Sequence, residues 1–236
     1  MSLMLYAAMG AATVPPASDP AFDPSAFVFT IRVENDGDSF TWPHRTGGVY
    51  DATFDWGDGS SDHVTAEPGA HVYASAGDYD VSVTGTCPAP RANTDWRAML
   101  IAVKQWGHLG GATNWENGLR ALAHTLNIQA SDAFGTGVVD MGYLFTDTDV
   151  EGDLSNWDVS GVTSMPAMFR ASSFNGDISG WDVSSVIDMS FMFAETPNFD
   201  QDLSGWCVQH ITSEPPFFSF ASALQPQHHP VWGTCP

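Results

Sequence analysis

The chain has 236 residues with 28 acidic against 7 basic side chains, a net charge of −21, and Lys104 as its single lysine. Such a charge argues against nucleic acid and against an anionic membrane surface as partners. The length allows two domains whose cores need no disulfides, and a negative surface suits an extracellular or saline setting.

In chain order, Met1 to Val14 is apolar but has no Lys or Arg before its apolar run, and that run is far shorter than the roughly 20 residues that span a bilayer. Met1 is present, which leads to the expectation of an uncleaved, unexported N-terminus. Pro15, Pro16, Pro20 and Pro24 forbid a helix in the connector that follows. Residues 1–26 are expected to form an arm that docks on a partner.

Residues 27–90 read as β. Phe27–Glu34 and Val49–Trp56 are rich in β-branched and aromatic side chains, and Asp78–Thr84 alternates polar with apolar. Gly47-Gly48, Gly57-Asp58-Gly59-Ser60 and Ala76-Gly77-Asp78 separate these runs at the spacing of a small antiparallel sandwich. Asp55, Asp58 and Asp62 are weak candidate calcium ligands, because hard cations take clustered carboxylates, but the spacing is not that of an EF-hand and turn-stabilising aspartates are commoner. Two stretches, Trp56-Gly57-Asp58-Gly59-Ser60 and His71-Val72-Tyr73 through Asp78-Tyr79-Asp80-Val81, resemble the signature of the PKD-type β-sandwich module. That resemblance implies a non-catalytic spacer or binder in a surface protein.

Residues 91–225 are less regular at first. Met99–Val103 has the composition of a buried strand, and Gly118–His124 has apolar residues at short-helix spacing ahead of Leu126-Asn127-Ile128. Then a repeat sets in, with Trp157, Trp181 and Trp206 falling 24 and 25 residues apart, a period of stacked repeats rather than of a globular enzyme. The sets Val162, Met165, Met168, Phe169, then Val186, Met189, Met192, Phe193, then Ile211, Glu214, Phe217, Phe218 align with Val138, Met141, Leu144 and Phe145. Each unit predicts a short strand and bend at Leu154–Val159 or its equivalent, then one or two helical turns facing the same core. The predicted repeat core is Trp157, Met165, Met168, Phe169, Trp181, Met189, Met192, Phe193, Trp206, Phe217 and Phe218. A single such unit cannot bury enough surface to stand alone, so neighbours must stack.

The run Phe174 to Val186, followed by Met189 and Met192-Phe193, resembles the BspA-like surface-protein repeat, a relative of leucine-rich repeats. The resemblance implies a right-handed solenoid that mediates adhesion or protein binding, with no catalytic residue to transfer. The fold expected for the whole chain is therefore mainly β with short helices: a PKD-like or Ig-like sandwich followed by a short leucine-rich-repeat-like β/α solenoid. The last repeat departs from the pattern at Cys207, Glu214 and Pro215-Pro216, as a polar terminal cap would, and residues 226–236 are expected to fold over the open edge.

Cys87, Cys207 and Cys235 are an odd set without metal-ligand spacing. Either Cys207 and Cys235 pin the tail as a bridge or all three are small buried thiols. No Gly-x-Ser-x-Gly elbow or phosphate-binding glycine loop occurs, His228-His229 reads as a solvated tail, and the recurring aspartates have turn roles, so neither an enzyme nor a cofactor is expected. The expected function is a non-catalytic structural or binding protein on the surface of a bacterial virus particle, as capsid decoration or in association with the tail or fibre. It would dock on other virion proteins through residues 1–26 and the sandwich and present the solenoid for adhesion, with a homo-oligomer among the expected assemblies. The alternative is a secreted or cell-surface bacterial adhesin binding a host protein or glycan.

Overall fold

A computed structural model describes residues 23–43, 47–107, 109, 112–130, 132, 134 and 137–236. Residues 1–22 of the expected docking arm lie outside the described residues. Where the described chain begins it is anchored, because Gln105 Nε2 donates to the carbonyls of Asp23 at 2.7 Å and Ala26 at 2.8 Å.

The chain is mainly β, with almost no helix. Its strands are β1 Phe27–Val33, β2 Ser39–Phe40, β3 Asp51–Asp55, β4 Ser61–Val64, β5 His71–Val72, β6 Gly77–Thr86, β7 Leu100–Gln105, β8 Leu126–Ile128 and β9 Val150–Gly152. One sheet has the order β4-β3-β6-β1-β7-β8-β9, and β2 pairs with β5 in a second, two-stranded sheet. β1 is central, flanked by β6 and β7, so its residues are buried except Arg32 instead of alternating. The inner faces of the two sheets meet in an aromatic core: Phe29 and Phe40 lie 6.0 Å apart, Trp42 and Phe54 5.3 Å, and Phe54 and Trp56 5.2 Å between ring centroids.

Turn chemistry sets these strands. Gly57 takes φ +77, and a Cβ there would come within 2.5 Å of the Asp80 carbonyl oxygen, so a side chain is excluded on two counts. Asp58 Oδ1 accepts from Ser60 N at 3.0 Å, and Asp58 Oδ2 meets His71 Nε2 at 2.8 Å. The His71 ring lies flat on Trp56 at 4.7 Å and 5°, and Tyr73 donates its hydroxyl to the Trp56 carbonyl. The quoted motif residues thus tie β5 to the turn between β3 and β4.

Two carboxylates in this half make it acid-sensitive. Burial alone would raise Asp58, but hydrogen bonds from Ser60 and His71 outweigh it and hold the group below its ordinary 3.8; the hydrogen bond from Arg32 and its charge lower Asp78. Groups depressed on folding stabilise the fold above their unfolded pKa, and that contribution disappears as pH falls through the lower folded values. The urea midpoint is therefore expected to hold from about pH 7 to about pH 5 and to drop below about pH 4. A midpoint that rises on acidification through that window would contradict these pairings.

The six-residue helix α1, Thr94–Met99, is started by Asn93, whose side chain accepts from Trp96 N. It leads directly into β7, where the expected buried strand lies. β7 runs antiparallel to β1, whereas β8 and β9 continue in parallel from it, so one sheet passes through the expected boundary at residues 90 and 91. Lys104 on β7 reaches Asp80 on β6 at 2.6 Å, across β1.

Beyond β7 the expected helical returns are absent. Among the described residues, the only helices are α1 and the 3-10 turn Pro226–His228. Met141 to Thr148 instead makes successive three-residue turns, with Leu144 N bonded to Met141 O, Thr146 N to Tyr143 O and Thr148 N to Phe145 O. The alternate amides donate to the next unit: Met141, Tyr143, Phe145 and Asp147 to Ser164, Pro166, Met168 and Arg170. The same ladder joins Met165, Ala167, Phe169 and Ala171 to Asp188, Ser190, Met192 and Ala194. Apolar residues at i, i+3 and i+4 meet a common core in stacked turns as they would in a helix, which is why the spacing suggested one. Nor do Leu154–Val159 and Ile178–Val183 form the predicted strands; both are turns.

Candidate functional site

Every stacked unit repeats the same side-chain roles. Leucine, phenylalanine and tryptophan fill the interior, where Phe145 and Phe169 stack at 5.6 Å, Phe169 and Phe193 at 5.7 Å, and Trp157 and Trp181 at 6.1 Å. The indole of Trp181 donates to the Leu154 carbonyl at 2.9 Å and that of Trp206 to Ile178 at 3.1 Å, so these two tryptophans are bonded to the unit before them, whereas the buried Trp157 indole has no such partner among the described residues. A hydroxyl column runs beside them at the buried Thr148, Ser172 and Thr196 and the half-buried Ser222: Thr148 donates to Leu119 O, Ser172 to Thr148 O, and Thr196 and Ser222 share a contact of 2.8 Å. Ten of the eleven predicted core residues are buried.

The exception is Phe217, which is 55% exposed. Its alignment with Met192 slips by one, because an extra residue enters between Ile211 and Pro215. Phe193 N donates to Phe218 O where Phe169 N donates to Met192 O, so Phe218 occupies the place of Met192, and Pro215 that of Met189. Phe217 stands instead in register with Phe191. Backbone conformation agrees, since Asn117, Tyr143, Ala167, Phe191 and Phe217 all have φ between 52 and 60 at steps of 26, 24, 24 and 26 residues. The slip turns Phe218 edge-on to Phe193, at 88°.

Upstream, Trp115, Asn117, Leu119 and Ala121 donate to Asp140, Gly142, Leu144 and Thr146, so a further unit precedes Val138. Parallel bridges join Asn114, Asp140, Ser164 and Asp188 in a column.

The aspartates face outward and are engaged with their own turns. Asp153, Asp177 and Asp202 accept from the amides of Ser155, Ser179 and Ser204, and Asp158 and Asp182 from Ser160 and Ser184. The serine hydrogen bonds lower Asp153, Asp177 and Asp202 from their ordinary values, as expected of carboxylates accepting N–H groups in Asx-turns. The calcium candidates do not converge either. Asp55 accepts from Gly57 N, Asp58 from Ser60 while it contacts His71, and Asp62 from the Trp56 indole, so each carboxylate serves a different local partner. Among the described residues no cluster of three His, Cys, Asp or Glu side chains is arranged to hold a metal.

Tail residues close the far end. Cys207 and Cys235 are joined in a disulfide, Leu203 N donates to His228 O, and Val208 N donates to Thr234 O. His228 and His229 are held as well: His228 Nδ1 lies 2.7 Å from Asp200, and His229 Nε2 lies 3.1 Å from Ser219 Oγ. Cys87 is a free, buried thiol pushed up to about 12 by desolvation.

The repeats carry a surface groove of about 280 Å³ lined by Tyr143, Ala167, Arg170, Phe191, Glu195 and Phe217, with Ala194 and Phe220. Phe191 and Phe217 stack at 4.9 Å and 18°, and Phe220 stands across Phe217 at 88°. Arg170 Nη2 donates to Glu195 Oε2 at 2.9 Å along the groove, and Arg120 lies 5.7 Å above the Tyr143 ring. Phe217 and Phe220 are more than half exposed and Phe191 is 38% exposed, whereas the other aromatic side chains among the described residues are buried or half-buried. Sequence reasoning missed this groove because it placed Phe217 in the core; the left-handed column, invisible in composition, is what turns the ring outward.

Residues 11–98 match the model of the PKD domain, a match that begins inside the expected arm. Residues 120–232 match the model described as Mycoplasma protein of unknown function, DUF285. The repeats are thus matched by DUF285 and not by a BspA-like leucine-rich-repeat family. No curated protein matches the chain, and no solved structure does. No helix among the described residues is long and apolar enough to cross a membrane.

Proposed function

We propose that this is a non-catalytic binding protein displayed on an extracellular-facing surface, with the PKD-type sandwich seating the molecule and the stacked units forming a short BspA-like solenoid that presents a ligand-binding face. The exposed aromatic groove on the repeats is the observation that carries this reading, because exposed apolar side chains gathered in one contiguous patch mark interaction sites where scattered ones do not. PKD and DUF285 domains are features of surface and extracellular proteins, which agrees with the acidic surface. The Cys207–Cys235 disulfide points the same way, since such bridges persist in oxidising compartments. The aspartates that would be the first catalytic suspects are occupied as turn acceptors.

The carrier expected from the sequence is a bacterial virus particle, with a bacterial cell surface as the alternative. Protease shaving of intact particles and of intact cells, followed by mass spectrometry of released peptides and of the culture medium, tests the display. Repeat peptides released from one of the two carriers support it and identify which. Recovery only from the soluble interior of lysed cells would sink it.

A further inference from the structure

We propose that the groove running from Tyr143 over Ala167 and Phe191 to Phe217 and Phe220 is a saccharide subsite that takes one or two neutral pyranose rings. The assignment rests on the reading of the repeats as a binding face and names the ligand class of that face.

The groove exists because one rung of an aromatic column is missing. Tyr143, Ala167, Phe191 and Phe217 occupy equivalent positions with the same left-handed backbone, and only Ala167 lacks a ring. Stacked backbones repeat about every 4.8 Å, so the segments bearing Tyr143 and Phe191 stand roughly 9 to 10 Å apart with alanine as the floor. That opening is too tall for two rings to close on each other and suits a ring-shaped ligand between them. Its volume of about 280 Å³ lies at the small end of ligand pockets.

The lining chooses among ligand classes. Phe217 and Phe220 meet at 88°, giving two apolar walls at a right angle, and an aromatic face, which is electron-rich, attracts the polarised C–H groups on one face of a sugar ring. Beside them the guanidinium of Arg170 supplies donors and the carboxylate of Glu195 supplies acceptors, 2.9 Å apart and partly exposed. Neighbouring hydroxyls both donate and accept, so a vicinal diol can satisfy this pair without disturbing its charge balance. Polyanions are repelled by the net charge of −21. A peptide cannot add as a strand by accepting from this backbone, because the amides of Ala167, Phe191, Phe193 and Glu195 already donate to the next unit.

The test is an array of neutral gluco-, galacto-, manno- and N-acetylhexosamine tetrasaccharides probed with the full-length protein, followed by calorimetric titration of the best binder. Phe217→Ala and Phe220→Ala alter exposed rings and are expected to leave the melting temperature unchanged while weakening binding roughly tenfold. Ala167→Phe completes the column at a backbone position where Tyr143, Phe191 and Phe217 already carry rings, and it is expected to abolish binding by filling the slot. Should Ala167→Phe not fold, the two exposed-ring variants decide the matter. The proposal is overturned if no neutral oligosaccharide binds, if binding is unchanged in those variants, or if the groove instead mediates a dimer lost in Phe217→Ala. Surface display, measured separately by protease shaving, is unaffected by any of these outcomes, so failure of the ligand class and failure of the display are distinguishable.

Discussion

Trp181→Ala is expected to lower stability by about 3 to 5 kcal/mol, the range for removing a fully packed aromatic side chain. Trp181 is 4% exposed, stacks on Trp157 at 8°, approaches Phe169 at 6.2 Å, and donates to the Leu154 carbonyl of the preceding unit. Its loss removes volume from the shared core and leaves that carbonyl without its donor, so the damage falls on an interface between units rather than within one. Because each unit is held through its neighbours, the repeats are expected to melt in one transition at lower urea. An unchanged urea midpoint would mean that the tryptophan column does not hold the stack together.

Removal of the Cys207–Cys235 bridge is the second large effect. The cystine closes a loop with a sequence separation of 28, and opening it is expected to cost about 3 kcal/mol through the freedom returned to the unfolded chain. Cys207→Ser with Cys235→Ser should lower the melting temperature and expose residues 226–236 to limited proteolysis. Dithiothreitol should reproduce both effects in the native sequence, and Cys87 adds no background, since its buried thiol is held protonated. Equal stability and equal protection of the tail with and without reductant would show that Leu203, Val208 and the Asp200–His228 pair hold the tail unaided.

The sandwich strands were legible because β-branched runs alternate with Gly-Asp turns: β1, β3 and β6 lie inside or within two residues of the runs that predict them. The repeat was legible from the spacing of Trp157, Trp181 and Trp206, since a buried position must recur with the period of the stack. The path of the chain between those positions was not. Helices and stacked turns impose nearly the same apolar spacing; they differ in whether an amide donates to residue i−4 or to the next unit, and that choice lies in long-range pairing. Helix α1 has a local signal in Asn93 as its cap and Asp95 in the first turn, but six residues are too few to show an apolar period. At the candidate site, Pro215-Pro216 marked a departure but not its size. One inserted residue separates a core Phe217 from one that lines a groove, and the repeat pattern does not specify where an insertion is absorbed.

In the single sheet β7, β8 and β9 follow β1 in sequence order, so from β7 onward the order of synthesis is also the order in which edges are closed. β1 and β6 leave the ribosome before β7, so the sandwich presents a finished template on which β7, β8 and β9 are laid down in turn. Each later unit then finds the unit before it already waiting with unpaired backbone groups, and beyond β7 each unit adds to one already made. Residues 226–236 are made after every unit that they cover, and Cys235 joins Cys207 across a separation of 28 residues. Oxidation in this chain is therefore a closing step that records that the stack beneath it is complete.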